Sequence, residues 1–579
     1  MGKTNKKSKQ AQSLLQLGLF IGVIIFLNIL ANARIGGKPM YVKIDLTEEK
    51  RFTLTDATKD LIGEIDDVVF VRILLDGELP AGFKRLQSAT REMLEDFRGQ
   101  NPYIEYEFDD PNVGTTEEIN QRRNDLAKSG IGPTRLRVAN ADGSSVQYIY
   151  PYAIFEYKMR PPVAINLLEN EVPGVPEEVI LNKSVNLLEY KLANAIQKLV
   201  TATDRPAILF TEGQGELTSR QTSDLERSLN AFYDTGRLNL DSIYAISAEA
   251  ACLIVAKPTQ PFSDRDKFII DQYVMKGGKV FWLLDYLNVD LDSLYGRGSF
   301  TVIPHELNLD DLLFEYGIRI ENNLVLDMQS SQIELVIGNM GGAPQFEKFP
   351  YPYHPVIASG PDDHPIVRNL GPVNLFYPSS IDTTVRTKTP VKETILLKTS
   401  PLSRYQRSPL ELNFDFLRYD LDPSKFNKPN QPVGVLMEGV FTSLHENRIT
   451  PPMRQMLEQI NEPFRKVSEE TKMIVVTDGD LAKDPFVPGD PSYHPLGYNR
   501  FDDYTFANKD FLVNCIEYLL DNRGLINARN RDVKLRLLNT VKADEERTKW
   551  QLINIVLPLV FLGVFGLLYH YWRRRKYAQ

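Results

Sequence analysis

Two apolar stretches bracket this chain and decide where the rest of it lies. Residues 14–33 read LLQLGLFIGVIIFLNILANA, and Leu552–Trp572 read LINIVLPLVFLGVFGLLYHYW. Each has about the 20 residues that a helix needs to cross a bilayer. Pro558 within the second is tolerable, because neighbouring groups in a membrane can satisfy the carbonyl it frees. Trp550, Tyr569, Tyr571 and Trp572 sit at its two ends, as an interfacial aromatic belt would. Lys3, Lys6, Lys7 and Lys9 fill the tail at 1–13, and Arg573, Arg574, Arg575 and Lys576 the tail at 573–579; neither contains an acid. The positive-inside rule puts both tails in the cytoplasm, so the region between the helices is exported, in a bacterium to the periplasm. Ala31-Asn32-Ala33 resembles a signal-peptidase site, but the apolar run is longer than the roughly 7–15 residues of a signal core, which favours a retained anchor. The polar residues of the two stretches, Gln16, Asn28, Asn32, Asn554 and His570, lie mostly near the ends, with no charge at either centre. Transport paths through a membrane carry such charges. A chain with two such helices is expected to flank a transporter, not to form one.

Composition narrows the field further. The chain has 579 residues, 42% hydrophobic and 25% charged, with a net charge of −9. That balance fits folded protein and argues against nucleic acid as a partner, which needs clustered Lys and Arg. Cys252 lies in the apolar run ACLIVA and Cys515 in FLVNCIEYLL, so both read as small core residues. With no Cys pair at metal spacing, neither a zinc site nor a disulfide framework is expected.

The exported region reads as alternating strands and helices. A helical face at Thr53–Ile65 precedes a buried-type strand at Val68–Leu75, a helix carrying Leu86, Ala89, Met93, Leu94 and Phe97, and a strand at Ile104–Phe108. Strand, helix, strand in that order predicts a parallel crossover. Residues 134–157 predict a hairpin around Ala141-Asp142-Gly143, and one long helix carries Val185, Leu188, Leu192, Ile196 and Leu199. A second unit opens with the strand ending in ILFTEGQGE (208–216), then a helix with Leu225, Leu229 and Phe232, and strands near Ile243 and at Cys252–Ala256. Ser263 and Asp266 mark a helix start, Gly277-Gly278 its end, and VFWLL (280–284) the next strand. VGVLME (433–438) and MIVV (473–476) are further strands, Phe511–Leu520 is the closing helix, and Gly338–Pro378 shows little periodicity. Such alternation predicts an α/β fold with a parallel sheet covered on both faces. The expected domains are therefore an N-terminal periplasmic α/β domain at 34–203, a larger one at 204–540 and a linker at 541–551, between the membrane helices at 14–33 and 552–572.

The glycine turn Gly213-Gln214-Gly215 stands where a strand enters a helix, the usual place for a phosphate cradle. It fails that test. The third glycine of the dinucleotide fingerprint is Thr218 here, no GK[ST] follows, and Glu212 and Glu216 would repel a phosphate. The sheet order resembles class I amidotransferases, but the turn after VFWLL is Asp285-Tyr286-Leu287, without their nucleophilic cysteine, and no GxSxG elbow is present. Three His-Pro pairs, at His354, His364 and His494, lie beside Asp362, Asp363 and Asp490. No helical spacing fixes any two of them as metal ligands, and His-Pro itself makes rigid turns. Asp478 and Asp480 in TDGD read first as a turn. No catalytic, cofactor-binding or metal residue is assigned and no cofactor is expected; Glu212, Gln214, Glu216, His354, His364 and His494 are the candidate ligand or partner surface.

DLTEEKRFTLTDATKDLIGEIDD (45–67), ILFTEGQGE, CLIVAKPTQPFSDRDKFIIDQYVMKGGKVFWLLD (252–285) and MIVVTDGDLAKD with NKDFLVNCIEYLLDNRGL together resemble the bacterial ABC-transporter auxiliary family. The exported part is similar to the GIFT domain of intraflagellar-transport proteins. The resemblance implies a multi-span ABC permease and a separate cytoplasmic ATPase as partners, with periplasmic or envelope motility components beside them. It also implies service in gliding motility and the associated protein secretion, at the inner membrane. Family members are labelled substrate-binding, but no ligand residues come with that label. Two classes of function follow: a non-enzymatic auxiliary subunit, or a membrane-tethered periplasmic hydrolase or carbohydrate-binding protein using the Tyr/His-rich loops near 338–378 and 486–505.

Overall fold

The computed structural model of the chain describes residues 15–26, 28, 34–35, 38–39, 53–140, 143–170, 175–200, 205–340, 342–358, 360, 363–459, 462–487, 489, 494–521, 523–530, 542 and 546–577. Residues up to Asp532 form one compact unit and Val533–Gln579 a second.

The first unit opens with helix α1 (Asp56–Gly63), whose N-cap Thr55 accepts a hydrogen bond from the Thr58 N–H. Strand β1 (Val69–Ile73), helix α2 (Ala81–Gln100) and strand β2 (Ile104–Phe108) follow, and β1 and β2 pair in parallel as the crossover predicted. The hairpin consists of β3 (Thr134–Asn140) and β4 (Gly143–Ile149), with the tip at Ala141-Asp142 outside the described residues. Its expected continuation to residue 157 is instead a separate strand, β5 (Tyr152–Tyr157), antiparallel to β1 and followed by β6 (Val163–Asn166). The resulting sheet, ordered β2-β1-β5-β6, packs on helices carrying Phe83, Leu86, Leu94, Leu192 and Ile196. The long helix expected near 185–199 is two helices, α3 (Glu177–Asn186) and α4 (Leu188–Val200). Ser184 Oγ donates to the Ile180 carbonyl at 2.8 Å, a back-bond that bends a helix, and the break falls at Leu187.

The larger sheet is built from β7 (Ala207–Glu212), β8 (Asp234–Asn239), β9 (Ala250–Ala256), β10 (Lys279–Leu283), β13 (Val391–Lys398), β14 (Pro432–Gly439) and β15 (Thr471–Val476), with α5 (Ser223–Asn230) and α6 (Asp264–Met275) among its connections. Its order is β8-β7-β9-β10-β15-β14-β13. The first five strands run parallel; β14 is antiparallel to both β15 and β13, which departs from the all-parallel expectation. The sheet's edge strands are β8 and β13; no strand forms near Ile243, which follows a 3-10 turn at Leu240–Ser242. Alternate residues serve the two faces. Ile254, Phe281 and Ile474 pack with Leu225, Leu229 and the closing helix α7 (Asn508–Leu520), while Val255, Trp282 and Val475 pack with Ile269, Ile270 and Val274 of α6. Helix α6 begins at the Ser263/Asp266 capping box and ends before Gly277, whose φ of +90° requires glycine.

Between β10 and β13 the aperiodic 338–378 region is not structureless. Strand β11 (Ser330–Met340) and strand β12 (Ala343–Ile357) form a long antiparallel hairpin. Pro344, Pro350, Pro352 and Pro355 hide the period, since proline cannot donate to a ladder and survives only where one side of a strand is unpaired. Tyr351 and Tyr353 nevertheless face a separate small core with Leu324, Leu326 and Leu412.

A buried network helps tie the two sheets of this unit. Glu517 of α7 accepts hydrogen bonds from Tyr190, Asn194 and Lys198, all on α4, with Asn194 at 3.0 Å. Burial works against the Glu517 carboxylate, yet Lys198 and these donors hold its pKa below the usual range.

The second unit is helix α8 (Arg547–Tyr577), with Pro558 inside it. It is long and apolar enough to cross a membrane, at a mean hydropathy of 2.4. Of the N-terminal stretch at 14–33, the described residues Leu15–Phe26 form an apolar helix shorter than a span; Leu14, Leu27 and 29–33 lie outside the described residues. Two spans are therefore not established, and one is a candidate.

The Glu517 network makes a direct prediction. Glu517→Ala strands Lys198 in a buried site and is expected to cost about 3–5 kcal/mol, read as a lower denaturation midpoint. Glu517→Gln, which keeps part of the hydrogen bonding, should cost less.

Candidate functional site

The chain leaves β7 for β8 on one side of the sheet and returns to β9 on the other. That reversal makes a crevice at the carboxyl ends of β7 and β9, where open α/β sheets bind ligands. Gly213 (φ +123°) and Gly215 (φ +74°) turn the chain there. A Cβ on Gly215 would lie 2.2 Å from Thr259 Oγ1, so the close approach of the β9 loop also requires glycine. The turn is filled by the chain itself. Glu216 accepts from the Gln214 N–H at 2.8 Å, where an anion would sit, and the Gln214 carbonyl accepts from Thr259 and Gln260 at 2.9 Å. Glu212 pairs with Arg237 at 3.7 Å. The acids of this turn thus serve internal contacts.

The next three strand ends carry the denser chemistry. Strand β9 ends at Lys257, held at φ +54° with its N–H donating to the Leu283 carbonyl at 2.8 Å. Strand β10 runs into Asp285, and β15 into Asp478-Gly479-Asp480. Parallel strands buried on both faces must be apolar until they emerge, so the first charged residues past each run meet at one edge. Lys257 Nζ lies 2.9 Å from Asp285 and 2.5 Å from Asp480. The Gly479 N–H donates to Asp285, and a Cβ on Gly479 would come within 2.6 Å of the Lys257 side chain. Asp478 is wholly buried: one oxygen accepts from the Phe376 N–H at 2.7 Å, and the other has no partner among the described residues.

One oxygen from each of Asp285, Asp478 and Asp480 lies within 4.8 Å of the others, the one group of carboxylates among the described residues close enough to share an ion. Lys257 already supplies that positive charge. Burial pushes the Lys257 ammonium down, but Asp285 and Asp480 outweigh it and hold its pKa above the usual range. Burial pushes Asp478 well up, reinforced by the charges of Asp285 and Asp480. For Asp480, burial raises the pKa, and Lys257 with Lys483 more than reverses this. The arrangement is a lysine shared by two carboxylates, beside a third, Asp478, whose pKa burial and the neighbouring negative charges push well up.

Beside this cluster lies a cavity of about 190 Å³, lined by His354, Phe376, Tyr377, Asp480, Lys483, Phe486, Tyr498, Arg500 and Phe501 among others. His354 is 1% exposed, ringed by Tyr351, Phe376 and Tyr377, and its Nε2 has no partner among the described residues. Burial lowers its pKa to about 3, so the imidazole is neutral at physiological pH. His494 stacks on Tyr498 of the cavity wall at 4.5 Å. His364 lies elsewhere, against Tyr518 at 4.7 Å, with Nδ1 accepting from the Ile366 N–H. The three histidines do not form one group. Asp362 and Asp490 lie outside the described residues. Sequence reasoning passed over Lys257, Lys483 and Arg500; a charged residue directly after a buried strand run was the available signal for Lys257.

Two predictions follow from the cluster. Lys257→Met leaves Asp285 and Asp480 without their cation and is expected to lower stability by about 3–5 kcal/mol near neutral pH. Asp480 has a depressed pKa in the fold, so its stabilising pairing is present above the unfolded pKa and lost as pH falls. The deficit of the variant should therefore shrink in chemical denaturation at acidic pH. Asp478→Asn keeps an acceptor for Phe376 and removes the titration. The raised pKa of Asp478 means that wild-type stability declines as pH rises above its unfolded value, so the stability of the variant relative to wild type should be greater at about pH 8 than at about pH 5.

Residues 205–515, more than half of the chain, match the family described as an ABC-type uncharacterized transport system, and residues 48–156 match a domain of unknown function (DUF7088). An uncharacterized protein of Borreliella burgdorferi is 23% identical over 98% of this chain and 99% of its own length. The solved mmIFT52 N-terminal domain aligns with 54% of this chain and 96% of its own, at 15% identity and a TM-score of 0.30. The matched segment contains β7 to β15, all four residues of the Lys257 cluster and most of α7, and on that match the chain belongs to the ABC-type uncharacterized transport system family, as a transport-associated accessory protein.

Proposed function

We propose that this chain is a non-enzymatic, membrane-anchored auxiliary subunit of an ABC transporter of the gliding-motility type, the role of GldG. In this reading the N-terminal stretch and α8 anchor it in the inner membrane with both termini cytoplasmic. The α/β unit then lies in the periplasm, beside a multi-span permease whose ATPase is a separate subunit. The observation that carries the reading is the family match over residues 205–515; ABC transport systems in general comprise such a permease and ATPase.

Other features support the non-enzymatic part. After β10, where an amidotransferase-like sheet would present a nucleophile, stands Asp285, buried and paired with Lys257. Burial pushes the Cys252 thiol up to about 12 and that of Cys515 well above its ordinary value, so neither supplies a thiolate near neutral pH. The exposed apolar surface of α8, with Leu559, Phe561, Leu562, Phe565 and Leu567 open on all sides, supports the membrane anchor.

Affinity purification of the tagged chain from native membranes in mild detergent tests the assembly. The expected outcome is co-purification of an ATPase and a multi-span permease in fixed ratio. Recovery of the chain with neither would overturn the reading.

A further inference from the structure

A larger cavity, of about 510 Å³, lies where helix α3 meets the larger α/β part, and it shares no lining residue with the one beside the Lys257 cluster. Lys183 of α3 and Val175 ahead of it form one side. The start of β11, the end of β12 and the segment 502–506 contribute the other. Small-molecule sites concentrate at such junctions, and this volume falls within their range of roughly 300–1,000 Å³.

The start of β11 brings two hydroxyls to this space. Ser330 pairs with Pro355 but Gln332 with Pro350, so the ladder breaks between them. In a regular strand neighbouring side chains point to opposite faces, and a bulge re-aims one of them. Ser330 and Ser331 accordingly both line the cavity. Ser331 is 2% exposed, and the Oγ of each serine is buried with no hydrogen-bond partner among the described residues. Buried polar groups are nearly always paired, so two adjacent orphans facing one cavity call for a ligand that bonds them.

The remaining lining narrows the kind of ligand. One oxygen of Asp502 accepts from the Gln332 N–H at 3.2 Å, and the other has no hydrogen-bond partner among the described residues. Gln329 adds an amide that both donates and accepts. Tyr504 and Phe506, packed edge to face with ring centres 4.8 Å apart, supply an apolar wall. Among the described lining residues only Lys183 and Asp502 are charged, one of each sign, so the site favours no net ligand charge. Hydroxyls, an amide and a carboxylate on one side with aromatic carbon on another suit a molecule that is polar around its rim and C–H on its faces.

We infer that this cavity binds a neutral sugar. Ser330, Ser331, Gln329 and Asp502 bond its rim hydroxyls, each of which donates and accepts, and Tyr504 and Phe506 lie against its ring C–H groups. A cavity of about 250 Å³ shares Gln329, Val356, Ala358, Leu370 and Gly371 with this one, so the second ring of a disaccharide has an adjoining space. The inference goes beyond the accessory role and rests on neither the family match nor the membrane topology.

The test uses the purified full-length protein, without partners, in a detergent that has no sugar head group. D-glucose, D-galactose, N-acetyl-D-glucosamine and maltose are titrated by calorimetry against cyclohexanol and D-glucuronate. At least one neutral sugar is expected to bind roughly tenfold or more tighter than cyclohexanol, which offers one hydroxyl only. Joint replacement Ser330→Ala and Ser331→Ala removes hydroxyls that have no partner in the fold. The unliganded melting temperature should therefore hold or rise, while sugar affinity falls about tenfold. Gln329→Ala, at an exposed position, should weaken the sugar about fivefold with the melting temperature unchanged. Absence of binding by all four sugars at about 20 mM overturns the inference. So does tighter binding of glucuronate than of every neutral sugar, or sugar affinity that is indifferent to the serine and glutamine replacements. None of these outcomes bears on whether a permease and an ATPase co-purify.

Discussion

Lys257 is the point on which the carboxyl edge of the sheet depends. Its ammonium lies between Asp285 at the end of β10 and Asp480 just past β15, so three adjacent strands close on one cation. Without that charge, two carboxylates and the buried Asp478 would crowd within 4.8 Å of one another in a desolvated setting. The backbone is shaped to allow it: Lys257 adopts a left-handed φ, and Gly479 leaves the space its side chain crosses. Asp480 and His354 form part of the wall of the adjacent cavity.

The same logic separates scaffold from surface elsewhere. At the first switch-point turn, Glu216 and the Gln214 backbone satisfy each other, which removes the site where an anion would bind in related architectures. On the opposite side of the sheet from α6, Glu517 joins α7 to α4 and so couples the N-terminal sheet to the larger one.

Local patterns were legible where local forces dominate. The capping box at Ser263 and Asp266, the glycine after α6, the β1-α2-β2 crossover and the apolar runs of β9, β10 and β15 were all readable, because each rests on contacts within a few residues or on burial of a whole run. The β11–β12 hairpin was not, because its prolines break the period-2 signal and its partner residues are fixed by the ladder. The antiparallel setting of β14 was hidden too: a strand buried on both faces reads alike in either direction. The division of one helix into α3 and α4 at Leu187 was not legible either, since the apolar period runs on through it. Of the residues singled out in advance, His354 lines the cavity, whereas His364 and the Glu212–Glu216 turn do not.

By itself the sequence determined the terminal apolar segments, the alternation that makes an α/β sheet, and that no GK[ST] or GxSxG motif is written in it. These depend on hydrophobic periodicity and on motifs whose spacing is local. Only the tertiary structure decided that Lys257, Asp285, Asp478 and Asp480 share one edge, and that Lys483 and Arg500 face a cavity with His354. Those residues are separated by up to 243 positions in the chain, counting from Lys257 to Arg500. The four cluster residues meet because β9, β10 and β15 run parallel and deliver their carboxyl ends to the same side of the sheet, whereas His354 arrives from the antiparallel β12, an outcome of strand order that no local pattern encodes.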